Sequence, residues 1–288
     1  MKLFSRLFLS AMALVALMGA AHAQDTLYFS AIPDEDETRL AERFGKVAGY
    51  LSEQLGVQVE FVPVKSYPAA VTAFRNDQVQ LAWFGGLSGV QARLLVPDAR
   101  AIAQGAEDRE FVTYFIANTD TGLTESADFP QAARGMSFTF GAKTSTSGRL
   151  MPEFYIREAT GAAPERFFDR VGFSGDHSQT LRLVASGAWQ VGALNFAVYD
   201  QAVADGAPEV ETAKVIWKTP SYPDYNWTIR GDVDARWGEG FADRVQAALV
   251  GMTDPELLAA FPRSAFIPAT NDDYAPIERV GRELGQLE

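Results

Sequence analysis

Along residues 27–83, apolar residues follow two different spacings, and these spacings predict strands and helices in alternation. A short apolar run over 27–32 predicts a strand that ends at Pro33. Helical spacing of three or four positions then joins Leu40, Phe44, Val47, Leu51 and Leu55. The same two patterns continue and predict a strand over 57–61, a helix over 67–75 and a strand over 79–83. This order is typical of a mostly parallel sheet covered by helices.

A second block of the same kind begins near residue 136. Strands are predicted over 136–140, 171–173, 191–194 and 215–217, with helices between the first three, and a helical stretch follows with Phe241, Val245, Ala248 and Met252 on one face. We therefore predict two α/β lobes with a ligand cleft between them. The first lobe is predicted to comprise residues 24–118 and 224–288, and the second lobe residues 119–223. The chain is predicted to cross between the lobes near 117–122 and 220–229.

The first 23 residues have the pattern of a secretory signal. Lys2 and Arg6 lead into an apolar run over 7–18, and Ala21 and Ala23 form a small-x-small cleavage site. The apolar run is too short for a transmembrane helix, which needs about 20 residues. We therefore expect a protein that is exported and released from its signal by cleavage.

Charge and composition exclude several classes of function. Residues 24–288 carry a formal net charge of −14, contain no Cys and have one histidine, His177. Such an acidic chain is poorly suited to nucleic acid, which requires a basic face. A zinc site built from several His or Cys, and a Cys nucleophile, are excluded. No cofactor or metal is implied.

The segment Ser145-Thr146-Ser147 has the best chemistry for holding an anion. It follows a predicted strand and opens a predicted helix, where the first backbone amides lack partners within the helix and the helix dipole is positive. Together with three hydroxyls, these amides can surround one oxyanion without a cation. An ordinary Ser/Thr helix cap is the alternative interpretation.

Two further loops could complete such a site. His177 stands in a glycine-containing loop before a helix, where it could act as a charged donor, a helix cap or a core residue. As a general base it would indicate a hydrolase, although no nucleophile partner is evident in the sequence. The turn Phe84-Gly85-Gly86 follows a strand and could present backbone amides across the cleft, or simply make a tight turn.

Loop tyrosines and acidic residues provide the remaining candidates. Tyr67 and Tyr225 could donate hydrogen bonds to a ligand, although packing is an equally simple role for each. The acidic run 34–37 suits the start of a helix. An oxyanion that carries a proton favours one acceptor in the site, such as Asp34, Glu35 or Asp224, whereas a fully ionised oxyanion needs donors only.

Several of these segments, taken in order, resemble the phosphonate/phosphite-type substrate-binding proteins of ABC transporters. They are Ala31–Glu35, Tyr67, Leu81–Gly85, Ser145–Pro152, Gly175 with His177, and Pro223–Trp227. The resemblance implies a type II periplasmic binding protein, which is a monomer with no enzymatic activity and whose partner is a membrane permease. It also implies that Ser145, Thr146, Ser147, His177 and Tyr67 bind the tetrahedral oxyanion.

The match has departures that bear on the ligand. Phe84 stands where related proteins often have tyrosine, and residues 196–199 lack the carboxylate that would hold an aminoalkyl group. The segments at 31–35 and 222–227 resemble the branch named for selenate. We expect a periplasmic importer component for phosphonate, phosphite or a selenate-like anion; a secreted hydrolase and a ligand-sensing subunit remain alternatives. The predicted ligand-binding residues are Ser145, Thr146, Ser147, His177, Tyr67, Phe84, Gly85, Tyr225 and Asp34.

Overall fold

Two separate β-sheets organise the chain. The structure, a computed structural model, describes residues 25–35 and 37–288; the predicted signal segment lies outside them. The first sheet has the strand order β11-β4-β10-β3-β1-β2 and the second β7-β6-β8-β5-β9. In chain order the strands are β1 Leu27–Ala31, β2 Val59–Phe61, β3 Leu81–Phe84, β4 Arg100–Gly105, β5 Thr113–Asn118, β6 Ser137–Phe140, β7 Arg170–Phe173, β8 Val191–Asn195, β9 Ala213–Lys218, β10 Asn226–Ile229 and β11 Phe266–Pro268.

Helices cover both sheets, and several begin at the caps that their sequences provide. Ser66 accepts a hydrogen bond from the Ala69 amide, and Asp176 accepts one from the Gln179 amide. In the described part of the chain, no helix is both long and apolar enough to cross a membrane. The helices are Glu37–Leu55, Tyr67–Arg75, Gly86–Leu95, Met151–Thr160, Pro164–Phe167, His177–Ala185, Phe196–Ala204, Glu209–Thr212, Val233–Trp237, Phe241–Val250, Pro255–Leu258 and Ala275–Glu283, and a π-helical turn, Thr146–Leu150, runs into the fourth of them.

The two predicted α/β lobes are confirmed, but their sheets are mixed rather than mostly parallel. β1 lies parallel to β2 and β3, as the strand-helix-strand pattern predicts. β10, in contrast, lies antiparallel between β3 and β4. It enters the first sheet after the chain has returned from the second lobe, so no crossover helix sets its direction.

The first crossing between the lobes occurs earlier than predicted. β5 lies in the second sheet, between β8 and β9, so the chain crosses at about 106–112 and not at 117–122. The return crossing ends before β10, which is already part of the first sheet. Phe111 and Tyr222 pair side by side in the two crossing segments, with reciprocal backbone hydrogen bonds of 2.9 and 3.0 Å. The crossing segments therefore form a short antiparallel pair between the lobes.

Large aromatic side chains fill the interior of both lobes. Trp83, Trp227 and Phe261 pack together under the first sheet, with ring centroids 5.2–5.6 Å apart. Phe115 and Phe138 pack 5.7 Å apart in the second lobe. These cores fix the parallel strands, whose carboxyl ends face the cleft and carry the candidate residues, as is general for open α/β sheets.

Candidate functional site

The two lobes touch across the cleft, so the structure is a closed one. The amide of Leu87 in the first lobe donates to Thr146 Oγ1 in the second (2.9 Å). The His177 amide of the second lobe donates to the Asp34 carbonyl oxygen of the first (3.0 Å). These contacts bury the residues between the lobes, and hinge closure of this kind is how two-lobed binding proteins enclose a ligand.

The three hydroxyls of Ser145-Thr146-Ser147 have three different environments. Ser145 Oγ accepts from the Gly148 amide (3.0 Å) and caps the helical turn. Thr146 Oγ1 accepts from Leu87 of the other lobe, whereas Ser147 Oγ is buried without a hydrogen-bond partner. The capping and anion-binding interpretations thus apply to different residues: Ser145 caps, Thr146 joins the lobes and Ser147 has a hydroxyl available for a ligand.

The glycine turn after β3 presents an amide to the second lobe, which is one of the two roles that the sequence allows. The Gly86 amide donates to Asp224 Oδ1 (2.8 Å), and the next amide, that of Leu87, donates to Thr146. A Cβ atom on Gly85 would lie 3.2 Å from Thr146 Oγ1 and 3.3 Å from Asp224 Oδ1, so glycine permits this close approach. The ring of Phe84, in contrast, packs edge-to-face on Phe74 inside the first lobe.

His177 is a neutral donor, which corrects the expectation of a charged one. Its side chain is fully buried, and burial lowers its pKa to about 3. The backbone N–H of Asn195 donates to Nδ1 of the ring (3.3 Å), so the ring hydrogen is on Nε2. Nε2 is buried without a partner. An N–H group is therefore available for an acceptor, such as an oxyanion, and no serine hydroxyl is bonded to this ring as a nucleophile would be.

The three carboxyl groups weighed from the sequence differ in their partners. Asp34 Oδ2 accepts from the Tyr225 hydroxyl (2.7 Å), and Glu35 pairs with Arg43 (3.2 Å). Asp224 Oδ2 is buried with no partner. Burial raises the pKa of Asp34 and that of Asp224 to about 7. Asp224 is therefore the carboxyl that combines an available oxygen with a proton that it exchanges near neutral pH.

The two candidate tyrosines also differ. The hydroxyl of Tyr67 is buried without a hydrogen-bond partner, and burial, together with the negative charges of Asp34 and Asp224, raises its pKa well above the ordinary value. It is therefore a protonated phenol that can donate. The hydroxyl of Tyr225 already donates to Asp34 and accepts from Asn195 Nδ2 (3.1 Å).

Four unpartnered polar atoms thus lie in one buried region: Tyr67 Oη, Ser147 Oγ, His177 Nε2 and Asp224 Oδ2. Asp224 and the serine segment lie close together, because a Cβ on Gly85 would be 3.3 Å from Asp224 Oδ1 and 3.2 Å from Thr146 Oγ1, next to Ser147. The pKa values agree, since the charge of Asp224 raises that of Tyr67 and the Ser147 hydroxyl partly lowers that of Asp224. On the other side, the His177 ring lies within 3.1 Å of where a Cβ on Gly148 would be. A buried polar atom without a partner costs about 1–3 kcal/mol, so this group fits a polar ligand.

Helix starts add a favourable field for a negative ligand. The helices Gly86–Leu95, His177–Ala185 and Phe196–Ala204, and the helical turn Thr146–Leu150, all begin at the cleft. Each helix start has a partial positive charge, which favours an anion placed beside it. This arrangement explains how a protein with a strongly negative overall charge can hold a small anion.

A groove of about 600 Å³ leads outward from Tyr67 between the lobes. Its lining includes three basic residues, Lys65, Lys143 and Arg182, and two acidic ones, Glu35 and Asp176. The basic residues therefore lie at the mouth of the cleft and not among the four unpartnered atoms.

Two contributors were missed from the sequence. Asn195 ends β8, and its side chain donates a hydrogen bond to Tyr225. The backbone amide of Leu87 donates one to Thr146. Asp224 was one of three carboxyl candidates, with nothing to favour it. The only signal available was position, since Asn195 follows a predicted strand and Asp224 lies in the predicted return crossing.

Comparison with known proteins identifies the family. Residues 29–274 match the family model described as "ABC transporter, phosphonate, periplasmic substrate-binding protein". The chain is 38% identical over 268 residues to a Prochlorococcus marinus protein named "Probable ABC transporter phosphite binding protein PhnD1", covering 91% of this chain and 90% of that one. It is 26% identical over 222 residues to the phosphonates-binding periplasmic protein of Escherichia coli, covering 75% of this chain and 65% of that one.

A solved structure of the Prochlorococcus protein PhnD1, in complex with methylphosphonate, superimposes with a TM-score of 0.88. The two chains are 37% identical, and the match covers 92% of this chain and all of the other. This similarity confirms the type II periplasmic binding protein fold.

These findings also decide between the branches and classes considered from the sequence. The selenate branch is not supported, because the matching family is described by phosphonate. The hydrolase alternative is set aside as well, since the family is one of binding proteins. The chain belongs to the periplasmic substrate-binding proteins of ABC phosphonate transporters, and it is the substrate-binding component of such an importer rather than an enzyme.

Proposed function

We propose that this protein captures a small tetrahedral phosphorus oxyanion, phosphite or methylphosphonate, and shares one proton with it through Asp224. The observation that carries the proposal is the set of four buried, unpartnered atoms on Tyr67, Ser147, His177 and Asp224. Three of these groups donate hydrogen bonds, and the fourth is a carboxyl oxygen. The names of the Prochlorococcus relative and of its methylphosphonate complex support the same class of ligand.

The carboxyl group gives the site its selectivity. Sulfate and selenate offer only acceptor oxygens, so an ionised Asp224 would repel them and they can bind only when Asp224 itself is protonated, whereas phosphite and phosphonate can bring their own proton. Phosphite and phosphonate bind a proton near neutral pH, and that proton can bridge a ligand oxygen and Asp224 Oδ2. Since burial raises the pKa of Asp224 to about 7, the proton is available from either partner.

The closed lobes support a role in delivery. Site residues such as Ser147, His177 and Asp224 are at most 1% exposed, so a ligand held there can leave only when the lobes separate. We propose that residues 1–23 are a cleaved signal that directs the protein to the periplasm, and that docking on the membrane permease opens the lobes and releases the anion. The ligand would enter and leave along the groove beside Tyr67.

Calorimetry with a panel of anions tests the proposal. The panel contains phosphite, methylphosphonate, 2-aminoethylphosphonate, phosphate, sulfate and selenate. We expect phosphite or methylphosphonate to bind at least tenfold more tightly than sulfate and selenate. Binding of sulfate with equal affinity, or no binding of any of the six at millimolar concentration, would contradict the proposal.

A pair of serine variants tests where the anion binds. Ser147→Ala removes an unpartnered buried hydroxyl, and we expect affinity for the preferred anion to fall about 10- to 100-fold because a ligand oxygen loses its donor. Ser88→Ala is the matched control, since the buried hydroxyl of Ser88 donates to the Gly85 carbonyl (3.1 Å) and affinity should change less than threefold. Equal effects of the two variants would place the anion elsewhere.

A further inference from the structure

A chain of hydrogen bonds crosses the cleft beside the proposed anion site. The Tyr225 hydroxyl donates to Asp34 Oδ2 (2.7 Å) and accepts from Asn195 Nδ2 (3.1 Å). Asp34 follows β1 and Tyr225 precedes β10, both in the first sheet, whereas Asn195 ends β8 in the second. The Tyr225–Asn195 bond therefore joins the two lobes.

Tyr225 is held firmly on the side of the first lobe. Its ring stacks on Trp83 with centroids 5.5 Å apart, and the guanidinium of Arg263 lies 5.2 Å from the centre of the Tyr225 ring. Arg263 is itself fixed by a buried ion pair with Asp108 (2.8 Å). The hydroxyl is thus presented to the second lobe at a defined position, and separation of the lobes must break its bond to Asn195.

The polar side-chain atoms of Tyr225 and Asn195 already have partners, unlike those of the anion site. Asn195 Oδ1 accepts from the Ala197 amide (2.8 Å) and caps the helix Phe196–Ala204, while Nδ2 donates to Tyr225. Neither the Tyr225 hydroxyl nor the Asn195 amide group is among the buried atoms without a partner. The Tyr225 hydroxyl and the Asn195 side chain therefore make these hydrogen bonds in the closed form without a ligand contact.

We propose that Asp34, Tyr225 and Asn195 form an inter-lobe latch that slows the release of the ligand without touching it. The proposal rests on the proposed function only in so far as some small anion closes the lobes. It assigns Asp34 and Tyr225, which the sequence suggested as ligand contacts, to positioning the lobes. Because the latch acts on the closed form alone, it changes the dissociation rate of every ligand by the same factor.

Two variants separate the latch from other roles of these residues. Tyr225→Phe removes both hydroxyl bonds and keeps the ring between Trp83 and Arg263. Asn195→Ser retains a side-chain acceptor for the helix cap but has no donor that reaches Tyr225. Their matched controls are Tyr199→Phe and Asn118→Ser, whose polar groups bond to Ala213 and Val184 inside the second lobe.

Stopped-flow tryptophan fluorescence measures the rates with every anion of the panel that binds the wild-type protein. We expect both latch variants to raise the dissociation rate about tenfold. Association should change by less than twofold, and the ratio of the affinities for any two anions should stay the same. The double variant should release ligand no faster than Tyr225→Phe, because both substitutions break the same inter-lobe bond. The control variants should match the wild type.

Three results would overturn the latch. Unchanged dissociation in both variants would show that the bonds do not hold the lobes. A change in the affinity ratio between two anions would show that these side chains contact the ligand. Equal effects in the control variants would indicate a general loss of stability. Failure of the proposed function gives a different result from failure of the latch, since the wild type would then bind neither phosphite nor methylphosphonate. The latch can still be measured with any other anion that binds.

Discussion

Replacing Asp224 with asparagine changes one buried acceptor into a donor and leaves the shape of the side chain almost unaltered. The remaining carbonyl oxygen can still accept the Gly86 amide, as Oδ1 does at 2.8 Å in the wild type. The atom that changes is Oδ2, which is buried without a partner and which we propose as a ligand contact. The variant therefore isolates the contribution of one oxygen to ligand selectivity.

The expected magnitude follows from the chemistry of that atom. A hydrogen bond with a charged partner contributes about 1.5–3 kcal/mol, which corresponds to roughly 10- to 150-fold in affinity. At pH 6 we expect Asp224→Asn to weaken phosphite and methylphosphonate by about that factor, since the shared proton loses its acceptor. At pH 9, where the Asp224 carboxyl is ionised, sulfate should bind more tightly to the variant than to the wild type, because an amide donor replaces a carboxylate that repels it.

The pH dependence gives the same test a definite sign. Burial raises the pKa of Asp224 to about 7, and two negative groups in contact cannot both remain ionised. In the wild type, affinity for methylphosphonate should therefore fall as the pH rises above about 7, by up to tenfold per unit once both free groups are ionised. Asparagine does not titrate, so this decline should be absent in the variant.

Calorimetry at pH 6, 7, 8 and 9 measures both effects. Asp34→Asn serves as the control, since it removes the other buried carboxyl with a pKa raised to about 7 but leaves Asp224 in place. The control should keep the alkaline decline. Parallel pH profiles for the wild type and Asp224→Asn, or an unchanged ratio of methylphosphonate to sulfate affinity, would refute the proton-sharing account.

Two further predictions concern the second lobe. Thr146→Val removes the acceptor of the Leu87 amide and should cost about 1–3 kcal/mol of binding by calorimetry; unchanged affinity would mean that this contact does not support closure. His177→Gln should reduce the loss of folding stability that occurs as the pH falls. Burial lowers the His177 pKa to about 3, so its contribution is complete above pH 6.5 and is lost as the pH falls toward 3. Thermal unfolding at pH 4 and 7 measures this difference, and an identical pH dependence in both proteins would contradict a buried, neutral histidine.

Local patterns predict most elements of the fold well. The helix Tyr67–Arg75 begins and ends where its spacing indicates, because Ser66 caps it and Pro68 suits its first turn. β5 is different, since all six of its residues are buried and its sequence does not alternate. A strand buried on both faces has no pattern that reveals its sheet, so its place in the second lobe depends on contacts with β8 and β9.

The site shows the same division between local and distant information. The sequence locates the Ser145–Ser147 segment and His177, because both lie at helix starts after strands. It cannot distinguish the cap of Ser145 from the available hydroxyl of Ser147, since the difference depends on which distant residues lie opposite. The same holds for the three candidate carboxyl groups. Asp34 is bonded to Tyr225 and Glu35 is paired with Arg43, whereas Asp224 keeps one oxygen without a partner.

A crystal structure of the complex with methylphosphonate tests the central claim most directly. The account predicts a single anion between the closed lobes, with Tyr67 Oη, Ser147 Oγ, His177 Nε2 and Asp224 Oδ2 each within about 3.2 Å of a ligand oxygen. Asp34 and Tyr225 should keep their bond to each other and make no contact with the anion. An anion held by Asp34 or Tyr225, with the four atoms still unpartnered, would contradict the account.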